Sequence, residues 1–150
     1  MKQFLSITVF LFFLTSSQAQ DQKRQSSFNL EKGVAVQGYD IVSFFTKGKA
    51  VKGNTSFIVS HQGVKYQFST NENKEEFKKN PSKYEPQYGG WCAYAMGATG
   101  EKVEIDPGTF KIVNGKLFLF YNKYLTNTLT KWNKDEANLK AKADASWLKF

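Results

Sequence analysis

The chain has 150 residues, 16% of them aromatic, a formal net charge of +8 and a single cysteine. One cysteine excludes an internal disulfide, so the fold must rest on an apolar core, and the length suits one such core. The lysines are interspersed with acids and Arg24 is the sole arginine, which reads as a solvated basic surface and argues against nucleic-acid binding.

At the N-terminus, Lys2 precedes an apolar run from Phe4 to Leu14, and small residues stand at Ser17 and Ala19. This pattern predicts a signal peptide over 1–19, cleaved after Ala19, and delivery to the periplasm or beyond it in a bacterial envelope. The run is short for a bilayer span, and no later segment is apolar enough to make a transmembrane segment. Residues 20–29 are polar and predict a flexible lead-in. A single domain is expected over 30–150.

Ile41–Phe45 is a short apolar run whose length does not decide between a strand and a buried helical turn. Residues 55–60 and 64–68 are β-branched and aromatic, with His61-Gln62-Gly63 between them. They predict a hairpin over about 55–68, with Val64, Tyr66 and Phe68 on one face. Ser69-Thr70-Asn71-Glu72 is a capping-box pattern and predicts a helix over about 70–79. That helix is anchored by Phe77, with Glu75 and Lys79 paired and Asn80-Pro81 as the stop.

All three prolines lie within 81–109, which reads as the long irregular segment of the domain. A short helix is expected inside it, over about 91–96. Asn114-Gly115 between two strand-like runs predicts a type I′ hairpin over about 110–121. Leu125, Leu129 and Trp132 fall on one helical face and predict a helix over about 125–134. A last helix is expected over about 136–146, with Leu139 and Ala143 inward and Trp147 docking its end. The absence of a strand-helix-strand rhythm makes this an α+β domain with a small antiparallel sheet packed by short helices.

Chemistry concentrates in Tyr88-Gly89-Gly90-Trp91-Cys92-Ala93-Tyr94-Ala95-Met96. A helix starting near Trp91 would set Cys92 and Met96 on one face, and thiolate with thioether suits Cu(I). Asp40, Asp106 or Tyr88 would add oxygen ligands if the fold gathers them. The competing reading makes Cys92 a small buried residue behind a tight turn and Met96 a core filler. Tyr84, Tyr88, Trp91 and Tyr94 either line a pocket for a small apolar ligand or build the core. His61 is the only histidine and reads as a solvated turn residue. No nucleophile-base motif or phosphate loop is present, so a non-enzymatic binding role is expected.

Gly38-Tyr39-Asp40-Ile41-Val42-Ser43-Phe44-Phe45, Gly63–Ser69, Asn80–Tyr84 and, most specifically, Pro86–Tyr94 resemble the YHS domain family in its small exported bacterial type. Asp106-Pro107, Asn114–Leu117, Tyr121-Asn122 and Ala143–Trp147 continue the likeness in order. The resemblance implies metal handling in the cell envelope, with copper the leading candidate, through Cys92 and secondarily Met96. Short YHS domains are thought to bind metals through cysteines. Ser69 and Asn73 stand here where the short form has two of them. The alternative is a metal-free interaction module using the aromatic loop Tyr84–Tyr94, with Tyr88, Gly89, Gly90, Trp91 and Tyr94 as contacts.

Overall fold

The computed structural model describes residues 18–150 and has an α+β fold. Nearly all of the expected leader, residues 1–17, lies outside the described residues. The polar segment read as a flexible lead-in is instead helical over 18–27 (α1). Composition misled there because α1 has long-range partners. Arg24 pairs with Glu85, Gln25 Nε2 donates to Gly63 O at 2.7 Å, and Ser27 O accepts from Trp91 Nε1 at 2.7 Å.

Two tiny strands, β1 (Leu30–Glu31) and β2 (Val34–Ala35), form the first hairpin. The Ile41–Phe45 run resolves as a helix, α2 (Ile41–Thr46), because Asp40 caps it by accepting from Val42 N at 2.9 Å and Ser43 N at 3.3 Å. The expected hairpin is present as β3 (Asn54–His61) and β4 (Val64–Phe68), with Val64, Tyr66 and Phe68 all buried. Its sheet runs β1-β2-β4-β3, antiparallel except where β2 meets β4 in parallel.

α3 (Asn71–Lys79) starts one residue later than a Ser69 cap would place it. Thr70 is the cap, accepting from Asn73 N at 3.2 Å. The Glu75–Lys79 pair is not made; the helix pairs Lys78 with Glu75 and Lys79 with Glu76, three residues apart. Pro81 ends α3 and opens α4 (Pro81–Tyr84), since a proline at the first helical position needs no N–H partner. The segment 81–109 thus contains α4, a tight 3₁₀ bend over Gln87–Gly90 and α5 (Ala93–Ala98).

β5 (Asp106–Val113) and β6 (Lys116–Phe120) make the second hairpin, turning at Asn114 (φ 50°) and Gly115 (φ 71°) as the type I′ reading requires. A third, minimal hairpin follows as β7 (Asn122–Lys123) and β8 (Thr126–Asn127). Leu125, expected to start a buried helical face, is instead the exposed tip of this turn at φ 63°. The helix begins at α6 (Thr128–Trp132), where Asn127 caps it. α7 (Glu136–Trp147) buries Leu139 and Ala143.

β6 has no solvent face. Leu117 and Leu119 point into one cluster with Ile41, Phe44, Tyr66, Phe68, Phe77 and Cys92. Phe118 and Phe120 point into a second cluster with Met96, Trp132, Leu139 and Ala143. Side-chain alternation along one strand therefore divides the core in two. α5 crosses α7 where Gly97 lies against Leu139; a Cβ there would stand 2.4 Å from the Leu139 carbonyl oxygen.

Candidate functional site

The stretch 86–92 runs beside β6, with Pro86 bridging to Leu117 and Cys92 to Leu119. To follow that path the chain bends at Tyr88 (φ 55°) and Gly89 (φ 59°), both left-handed. Glycine is required at 89 on two counts. Its φ is positive, and a Cβ would stand 2.7 Å from the Trp147 ring.

The bend delivers Cys92 into the interior, with no exposed surface. Its Sγ accepts from Tyr121 N at 3.4 Å and lies 3.4 Å from Thr128 Oγ1. Cys92 is the N-cap residue of α5, so the helix starts later than a Trp91 start would give. Cys92 packs into the first cluster and the fully buried Met96 into the second, so the two sulfur side chains serve different cores.

The oxygen donors do not gather around the thiol. Asp40 is fully buried, and its Oδ2 accepts from Ser69 N at 2.8 Å, Ser69 Oγ at 2.6 Å and Asn73 Nδ2 at 2.7 Å. Asp106 accepts from Gly108 N and Thr109 Oγ1, both at 2.9 Å. Tyr88 donates its hydroxyl to Asp144 at 2.9 Å. Among the described residues no three His, Cys, Asp or Glu side chains form a group able to hold a metal ion. His61 closes β3 rather than sitting in the turn, and its ring meets Phe77 edge-on at 5.9 Å.

A cleft of about 400 Å³ opens on the outer side of the same bend. Its wall includes Arg24 and Phe28 from the N-terminal segment, Glu85 and Tyr88 from the bend, and Asp144 and Trp147 from α7. Phe28 and Trp147 meet edge to face at 6.3 Å and supply the apolar surface. The Arg24 guanidinium lies over the Phe28 ring at 4.4 Å and pairs with Glu85. Its Nε is buried and finds no acceptor among the described residues. Glu85 Oε1 also accepts from Tyr66 OH at 2.7 Å. Burial, reinforced by the Glu85 charge, holds the Tyr66 hydroxyl well above its ordinary range; burial and the bond to Asp144 do the same for Tyr88.

Of the aromatic loop, the structure thus brings Tyr88 and Gly89 to the cleft. It buries Tyr84, whose hydroxyl donates to Glu76, and Gly90. Trp91 and Tyr94 are half-buried against the second cluster. Arg24, Phe28, Asp144 and Trp147 were not singled out as contacts by the sequence. The available signal was the chain's only arginine four residues before an isolated aromatic in a polar stretch.

Fold and site together define a small α+β domain with one sealed thiol and a mixed polar and aromatic cleft. Comparison with family models, curated proteins and solved structures found no match.

Proposed function

We propose that this chain is a non-enzymatic exported binding module of the YHS type that works without a metal, holding a small ligand in the cleft between α1, the 86–90 bend and α7. The observation that carries the reading is the cleft itself. Three segments distant in sequence converge on it, and it offers Phe28 and Trp147 beside Arg24, Glu85 and Asp144. Its size falls within the usual range for small-molecule sites. The chemistry fits a ligand with an aromatic or aliphatic body and a polar head. The bend that carries the YHS resemblance forms one wall. The sealed position of Cys92, against Tyr121 N and Thr128, favours a packing role for the thiol.

The test is a screen of small aromatic amines, amides and carboxylates by tryptophan emission and thermal shift. The expected result is saturable quenching that weakens at least tenfold in Trp147→Leu and in Asp144→Asn, with circular dichroism unchanged. Ligands that bind both variants as well as the parent would overturn the cleft assignment. A parallel anaerobic Cu(I) titration tests the competing reading. Tight one-to-one binding that disappears in a folded Cys92→Ser protein would restore the thiolate metal site.

A further inference from the structure

Four two-residue hairpin turns in the described chain place both residues in the left-handed region: Lys32-Gly33, Gln62-Gly63, Asn114-Gly115 and Tyr124-Leu125. Glycine takes the second position in three of them. The fourth has Tyr124 at φ 50° and Leu125 at φ 63°, two residue types that adopt this backbone at a steric cost. Neither side chain recovers that cost by packing, since Tyr124 is 91% exposed and Leu125 fully exposed at 109%. A strained turn that displays two large apolar side chains to water points to use of the tip.

The mount is firm. Asn122 pairs with Asn127 and Lys123 with Thr126 below the tip. Thr128 N donates to Tyr121 O at 3.0 Å, Thr128 Oγ1 donates to the same oxygen at 2.8 Å, and Asn127 caps α6 directly after the ribbon. The surrounding sequence is basic: between Asp106 and Asp135 the chain carries Lys111, Lys116, Lys123, Lys131 and Lys134 and no acid. Lys111 is committed to Glu136, and Glu31 and Glu104 share a shallow cavity with Lys123 at the base of the ribbon.

We propose that the Tyr124-Leu125 tip docks this protein on an anionic lipid surface. A convex tip of two side chains offers far less than the roughly 800 Å² per partner of a stable protein interface. A bilayer accepts such a tip without a preformed pocket. Leucine enters the acyl boundary, tyrosine sits at headgroup level, and the exposed Lys123 beside the tip is drawn to anionic headgroups. The net charge of +8 has the matching sign.

The test uses protein expressed from the whole sequence and purified as the cell delivers it, with its N-terminus fixed by mass spectrometry. Vesicles of phosphatidylglycerol with phosphatidylcholine are compared with phosphatidylcholine alone. Leu125→Cys labelled with an environment-sensitive dye reports the tip directly, because Cys92 is sealed in the core. A blue shift on anionic vesicles that fades with salt is expected. The double variant Tyr124→Asn/Leu125→Gly installs the favoured type I′ pair, so its fold should be at least as stable. It should bind anionic vesicles at least tenfold more weakly. An unshifted dye, equal shifts on neutral and anionic vesicles, or undiminished binding by the double variant would overturn the proposal. Capture of the tip by a protein partner, with no vesicle binding, would also overturn it.

Discussion

Replacing Asp40 with asparagine removes one charge and almost no volume, yet it should cost much of the domain's stability. The carboxylate is fully buried and accepts five hydrogen bonds, two on Oδ1 and three on Oδ2. Asparagine offers one acceptor oxygen and one NH₂ group. Its better orientation keeps the oxygen toward Ser69 and Asn73 and turns the NH₂ toward the N–H groups of Val42 and Ser43. Two buried donors are then left without an acceptor, the Val42 N–H and the new NH₂ group that faces it, at about 1–3 kcal/mol each, while Ser43 N–H keeps the Asp40 carbonyl oxygen at 3.1 Å. The expected loss is about 2–6 kcal/mol, against a total of roughly 5–15 kcal/mol for a domain of this size. Urea unfolding followed by circular dichroism measures it as a fall in midpoint of at least about 1 M at unchanged slope. A midpoint within about 0.3 M of the parent would refute the reasoning, because it would mean that the three segments do not depend on this one side chain.

Cys92 should react with a thiol reagent at least about 10³-fold more slowly in the native protein than in urea, since core opening approaches the cost of global unfolding; complete labelling within the mixing time would contradict the packing described. Gly97→Ala should destabilise by about 1–3 kcal/mol although alanine is the better helix former, because the new methyl meets the Leu139 carbonyl oxygen at 2.4 Å. A neutral or stabilising result would show that α5 and α7 can move apart. In alkaline titration at 295 nm, Tyr66 and Tyr88 should stay protonated through the ordinary tyrosine range at about pH 10. Their folded-state values are raised, so the stability they contribute is full below about pH 10 and is lost as pH rises beyond it. Ionisation of Tyr66 and Tyr88 in that ordinary range, with the fold intact, would count against both buried hydroxyls.

What could be read from the sequence was what local rules determine. Alternation marks β4, Asn114-Gly115 marks the β5–β6 turn, and Pro81 marks the end of α3, because each signal lies within a few residues of the feature it sets. The Leu125, Leu129, Trp132 spacing suggested a longer helix, but pairing across Lys123 and Thr126 turned the first of these into a hairpin tip. α1 was missed for the converse reason: its sequence is polar, and what holds it is Glu85, Gly63 and Trp91, all more than thirty-five residues away. The site divided the same way. The Gly-Gly bend was visible, but the facing of Cys92 was not. A residue at the N-cap follows the incoming chain rather than the helix face, so i,i+4 spacing to Met96 carried no information about a shared direction.

The two-sided strand β6 has a consequence for how the molecule melts. Leu117 and Leu119 belong to one half of the interior and Phe118 and Phe120 to the other, on a single five-residue strand. Neither half can open without stripping cover from the same backbone that supports its neighbour. α5, six residues long and too short to persist alone, adds a second shared wall, with Ala95 on one side and Met96 on the other. Two clusters thus form a single cooperative unit, and partial unfolding is confined to elements outside the shared wall, such as α1.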